Sequence, residues 1–168
     1  KNLDNAIASL ENGKNPAVDG KIVFGNVFIE RIRKEDTRVL SLSGVLAHEM
    51  SHLYQYGSGD YKYLAGGCGP GVPTNLLTEL QADYLAGGYM AWRGQLIPVD
   101  SAELSKFFYT LGDNDTANPD SHGTRKQRLA AFMQGFLTGA DLIKTNKLDR
   151  ARLAASGVLY VRAACNKA

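Results

Sequence analysis

The chain has 168 residues, 44% hydrophobic and 21% charged, with a formal charge of +2, values of a globular domain rather than of a disordered or fibrous chain. This length suits one domain, 1–168, that buries a core without staples. The small, mixed charge argues against nucleic acid as a partner, because Arg31-Ile32-Arg33-Lys34 and Arg125-Lys126-Gln127-Arg128 read as solvated faces. No apolar run approaches the roughly 18 residues of a membrane span.

In chain order, Asn2 to Leu10 places Leu3, Ile7 and Leu10 at helical spacing, and Gly13 with Asn15-Pro16 closes a predicted first helix. Lys21 to Ile29, KIVFGNVFI, is rich in β-formers and reads as a bulged strand or as two strands around Gly25-Asn26. Thr37 to Tyr56 repeats apolar residues at three and four (Val39, Leu42, Val45, Leu46, Met50, Leu53), which predicts a long helix ended by Gly57. The Gly-rich Gly57 to Pro73 is expected to be irregular. Thr74 or Asn75 can cap a helix running to about Trp92 and ending near Gly94. Asp100 with Glu103 opens another helix, closed by Gly112. Asp113 to Gly123 reads as a loop, Thr124 to Leu137 as a helix stopped by Gly139, and Lys147 to Ala164 as helical with a strand-like GVLYV. The expected class is α+β, helix-rich, with a small sheet near the N-terminus.

Chemistry concentrates in HEMSH, His48 to His52, which holds two of the three histidines. Residues four apart on a helix share a face, so His48 and His52 can aim ring nitrogens at one point, as a tetrahedral zinc site requires. Glu49 sits about 100° around the helix, where it is badly placed to be a ligand but can reach a metal-bound water as general base. Two histidines do not hold a catalytic metal. The pattern HExxHxxGxxH is excluded, because Gln55 and Ser58 occupy the Gly and third His positions, and HxxEH is absent. TELQADYLAGGY, Thr78 to Tyr89, supplies Glu79 and Asp83 on one helical face. Glu79 is the candidate third ligand and Asp83 the candidate partner for the free ring nitrogen of a ligand histidine. Two acids at this spacing also suit a solvated helix face, although little Lys or Arg lies near to pair with them. The last histidine, His122, precedes a helix by two residues and could stabilise an oxyanion, and Arg128 could bond carboxylates or backbone around the site.

In order, VLAHEMSHLYQ (Val45 to Gln55), ELQADYLAG (Glu79 to Gly87) and SHGTRKQR (Ser121 to Arg128) resemble the gluzincin-type zinc metallopeptidases. The likeness is to bacterial families with a compact catalytic domain, such as the HtpX-like peptidases and the neutral zinc metallopeptidases. HExxH pairs there with an ExxxD helix, which Glu79-Leu80-Gln81-Ala82-Asp83 matches. His122 and Arg128 match a His-x5-Arg element, with Gly123 where proline is common. The resemblance implies a zincin-like core, Zn²⁺ as cofactor, and a peptide or protein substrate. It also implies that Lys21 to Ile29 borders the cleft with an edge on which an extended peptide can lie. It leaves the Gly-rich loop and the chain after Gly139 unexplained.

The reading from sequence is therefore a zinc endopeptidase with His48, His52 and Glu79 as ligands, Glu49 as base, Asp83 behind a histidine, and His122 and Arg128 supporting the transition state. The alternatives are a non-catalytic zinc-binding domain used for stability or partner binding, and a zinc hydrolase of a non-peptide amide. Tyr54, Tyr56, Tyr61 and Tyr63 are expected to be packing and rim residues. The chain starts at Lys1 rather than Met, from which a removed signal peptide, propeptide or tag is expected. Cys68 and Cys165 either form one disulfide in an exported protein or are two separate thiols in a cytoplasmic one.

Overall fold

The computed structural model describes residues 5–10, 20–35, 40–69, 75–96, 100–112 and 121–165. The expected loop over 113–120, the helix opening at Thr37 and the Thr74 cap lie outside them. The described chain is helix-rich with one two-stranded antiparallel sheet, an α+β arrangement.

The N-terminal segment corrects the sequence reading. Ala6–Leu10 is a strand, β1, not a helix, and it pairs antiparallel with β2, Gly20–Phe24, in the register Ala6 to Phe24 through Leu10 to Gly20. Its apolar spacing suits a helix over Asn2 to Leu10, but GKIVF offers Ala6–Leu10 a ladder of backbone bonds, and a helix under about 12 residues is marginal unless packing supports it. Beyond β2 the expected second strand is instead a helix, α1, Asn26–Glu35. The Ile29 N–H donates to the Gly25 carbonyl, closing the first turn. Phe28 and Ile32, four apart, are buried while Arg31, Arg33 and Lys34 are exposed, so this basic run is a solvated face over an apolar stripe.

The helix carrying HEMSH, α2, covers Leu40–Ser58 and turns at Gly59, whose positive φ of 87° glycine adopts without a Cβ clash. The Gly-rich connection is not wholly irregular, because Asp60–Leu64 forms a short helix, α3. The next helix, α4, covers Leu76–Arg93 with Asn75 before it and Gly94 after it, and the Asn75 side chain makes no capping bond. The following helix, α5, covers Ser101–Thr110, and Asp100 accepts bonds from the Ala102 and Glu103 N–H groups at 2.9 and 3.0 Å. Helix α6, Arg125–Lys144, opens with a reciprocal Thr124/Gln127 capping box and runs through Gly139 rather than stopping there. The last helix, α7, covers Arg150–Cys165, so GVLYV is helical.

Every residue of α4 except Tyr89, Trp92 and Arg93 is buried, and α4 contributes to three apolar clusters. Ala86 and Met90 meet Leu104, Phe108 and Phe132, where the Phe108 and Phe132 rings stack at 4.0 Å. Leu76, Leu77 and Leu80 meet Leu64 and Val161, and Tyr84 and Leu85 meet Leu153 and Ala154. The persistence of α6 past Gly139 follows from this packing. A Cβ at Gly135 would stand 1.8 Å from the Tyr84 carbonyl oxygen, and one at Gly139 would stand 2.8 Å from the Gly88 Cα. These glycines serve backbone contact with α4. Among the described residues no helix is long and apolar enough to cross a membrane.

Candidate metal centre

A core helix cannot leave carboxylates unpaired, because each buried charge costs several kcal/mol in desolvation, on the order of magnitude seen for ions in protein interiors. Glu79 and Asp83 are both buried on α4, which rules out the solvated-face alternative for them. Their partners come from α2 and α6.

His48 Nε2 and His52 Nε2 lie 3.1 Å apart, and each lies 3.4 Å from an oxygen of Glu79. The two rings meet edge to face with an interplanar angle of 90°, so both nitrogens turn to one point. An ion with four tetrahedral bonds of about 2.1 Å separates its donor atoms by about 3.4 Å. The group His48, His52 and Glu79 can therefore hold a metal ion on spacing alone. Arg128 faces Glu79 and Asp83 from α6, and Glu49 and Glu79 line the same cleft.

The outer atoms of both rings are also engaged. His48 Nδ1 lies 2.9 Å from Asp83 Oδ1, and His52 Nδ1 lies 2.9 Å from Gln55 Oε1. A ring that donates from Nδ1 keeps its lone pair on Nε2. Arg128 is buried rather than solvated, which corrects the reading of its basic run. It donates from Nε and NH2 to the two Asp83 oxygens at 2.7 and 2.8 Å and from NH1 to the Leu111 carbonyl at 3.3 Å. The Thr124/Gln127 capping box one turn earlier sets where α6 begins and so where Arg128 reaches. The S/T-x-x-E/Q pattern in Thr124 to Gln127 is a local signal for it that sequence reading passed over.

Charges at the site follow from these partners. Burial opposes a proton on His48, but the hydrogen bond and charge of Asp83, with Glu79 in support, raise its pKa to about 9. Burial and then the neighbouring His48 charge push His52 down. Burial favours the neutral form of Glu79 and of Asp83. It is overcome by His48 at Glu79 and by Arg128 at Asp83, so both stay well below the usual carboxylate range. Without metal, His48 carries the proton, His52 is neutral, and both acids are ionised.

The site opens onto a cleft of about 360 Å³ whose walls include Glu49, His122, Tyr56, Tyr61 and Asn75. Glu49 is buried on the helical turn between the two histidines, and His122 is exposed on the wall. Tyr56 and Tyr61 pack at 4.7 Å on the rim, while Tyr54 and Tyr63 lie under the guanidinium groups of Arg150 and Arg162. The strand beside the cleft is β1, through Ala6 to Ala8 with Asn5 just before it, and not the Lys21 to Ile29 segment, from which only Phe28 reaches the wall. Among the described residues β1 pairs with β2 alone, leaving its other edge without a strand. Gln55 escaped sequence reading because its partners on α4 lie more than twenty residues away. Comparison of the chain with protein-family models, curated proteins and solved structures finds no match.

Proposed function

We propose that this chain is a zinc-dependent endopeptidase with a gluzincin-type, zincin-like core. The observation that carries the reading is the convergence of His48 Nε2, His52 Nε2 and Glu79 within 3.1 to 3.4 Å at the floor of a cleft walled by Glu49. Two imidazoles and one carboxylate suit zinc and leave a fourth position open. Zinc held there supplies a Lewis acid and lowers the pKa of a bound water.

The remaining roles belong to the chain. Glu49 takes a proton from the attacking water and returns it to the leaving amine nitrogen. Asp83 holds His48 through Nδ1, and Arg128, which donates to both Asp83 oxygens and to the Leu111 carbonyl, keeps Asp83 ionised and in place. His122 on the cleft wall donates to the oxyanion. An extended substrate adds to β1 along the edge that pairs with no strand among the described residues, where backbone bonds give affinity with little sequence preference. The disulfide between Cys68 and Cys165 supports an exported protein working in an oxidising compartment.

The test is digestion of an unfolded protein such as casein, with and without chelator, for the native chain and Glu49→Gln. The expected result is hydrolysis that chelator abolishes and zinc restores. Glu49→Gln is expected to keep one equivalent of zinc and to lose activity by about 10²- to 10⁴-fold. Full activity in Glu49→Gln sinks the peptidase mechanism. Zinc bound without cleavage of any protein or peptide leaves the non-catalytic zinc domain or the hydrolase of a non-peptide amide.

A further inference from the structure

Asp83 accounts for how His48 is held, but among the described residues His52 has an amide rather than a carboxylate behind it. Its Nδ1 meets Gln55 Oε1 at 2.9 Å, and Gln55 is wholly buried. Which end of that amide faces the ring is decided by its other partners. Gln55 Nε2 lies 2.7 Å from the Thr78 carbonyl, which can only accept, and 2.9 Å from Gln81 Oε1. Gln81 is oriented the same way, because its Nε2 faces Asp60 Oδ2 at 3.0 Å and the Ala154 carbonyl at 3.4 Å. Two backbone carbonyls and a carboxylate therefore fix both amides. The Gln55 oxygen is left pointing at His52, and the ring has to donate from Nδ1. Its lone pair then sits on Nε2, the atom 3.1 Å from His48 Nε2 and 3.4 Å from Glu79.

We propose that Gln55 is a positioning residue of the metal centre: braced by Gln81 and Asp60, it locks His52 in the Nδ1–H tautomer and aims Nε2 at the point shared with His48 and Glu79. The role rests on the metal site of the preceding section. It gives the second histidine, through two amides ending on the Asp60 carboxylate, what Asp83 gives the first directly. Hydrogen bonds aligned in one direction polarise one another, so Asp60 also supports the basicity of His52. The chain of bonds spans α2, α3, α4 and α7, so four helices converge on the orientation of one ring.

The experiment uses the full chain loaded with zinc, native and Gln55→Met, and reads zinc affinity by chelator competition and imidazole resonances by nitrogen-15 NMR. In the native protein both His48 and His52 are expected to show zinc on Nε2 and a slowly exchanging Nδ1–H. Gln55→Met is expected to weaken zinc binding by about 10- to 100-fold, the usual effect of losing such a partner. It is also expected to release the Nδ1–H of His52 to solvent exchange while that of His48 stays unchanged. A purely structural amide would lower stability without this selective loss. Unchanged affinity together with an unchanged His52 resonance in Gln55→Met overturns the proposal. So does zinc on Nδ1 of His52 in the native protein, a measurement that needs no variant to fold. A native chain that takes up no zinc removes the metal site and the positioning role together. Zinc bound equally by both chains, with the His52 resonance unchanged as well, removes the positioning role alone.

Discussion

His48 and Asp83 form a pair whose proton decides how the site meets a metal. In the metal-free protein Asp83 and Glu79 overcome burial and hold the His48 proton up to about pH 9, while His52 is pushed down and neutral. A metal needs the Nε2 lone pair of His48 and so displaces that proton. At pH 7.5 zinc uptake is therefore expected to release about one proton. Apparent zinc affinity should climb about tenfold per pH unit between pH 6.5 and 8.5. Calorimetric titration in two buffers of different ionisation enthalpy measures the released proton, and none released at pH 7.5 would refute this charge assignment. The same shift sets a sign on stability without metal. The folded pKa of His48 lies above the unfolded 6.5, so its contribution is complete below pH 6.5 and is lost as pH rises through 9. The urea midpoint of the metal-free chain should accordingly fall over that interval.

The elements that set the site differ in how far their sequences disclose them. The α2 and α4 helices were legible because the four-residue spacings and the apolar period are local, and HEMSH and ELQAD each fit within one or two turns, although α2 runs on through the expected stop at Gly57 to Ser58. The β1 strand was not, since a short run of Ala6 to Leu10 fits either period and only its pairing with β2 decides. Gly139 was misread for a related reason: a glycine that ends a helix and one that admits a neighbouring backbone look alike without the neighbour. That second role can be measured. A Cβ at Gly135 would lie 1.8 Å from the Tyr84 carbonyl oxygen, and one at Gly87 would lie 2.0 Å from that of Phe132, so α4 and α6 meet backbone to backbone. Gly135→Ala gains about 1 kcal/mol in helix propensity. It must nonetheless separate the two helices, and because the obstructing atoms are backbone the overpacking cost falls at the upper end of the usual range, about 2–3 kcal/mol. The expected net effect is a loss of about 1–2 kcal/mol in urea unfolding, whereas Gln134→Ala on the exposed face of α6 stays within about 0.5 kcal/mol. An unchanged or raised midpoint in Gly135→Ala would show that the helices do not depend on this contact.

At the scale of the whole molecule, the candidate metal site and the covalent link draw on different residues of the fold. The disulfide from Cys68 to Cys165 joins the loop after α3 to the end of α7 across 97 residues, closing a loop that contains α4, α5, α6 and α7. Both cysteines lie against the cluster of Leu64, Leu76, Leu77, Leu80 and Val161, beside the α4 turn that carries Glu79. With the link open, α7 still has Leu153, Ala154 and Val161 buried against its neighbours, so the native arrangement does not depend on the bond for contacts. What changes is the unfolded chain, which regains the freedom of a long loop, and losing such a link costs about 2–5 kcal/mol. The Cys68→Ala, Cys165→Ala double variant is therefore expected to unfold at lower urea while binding one zinc at native affinity. Zinc stabilises by an amount set only by its concentration and affinity. Saturating zinc should then raise the midpoint free energy of the native and double-variant chains by the same increment, because the ligands come from α2 and α4 and not from the linked ends. Equal stability with and without the link would deny it this role. A zinc increment that shrinks in the double variant would mean that α7 helps hold the ligand geometry, through the Ala154 carbonyl that orients Gln81.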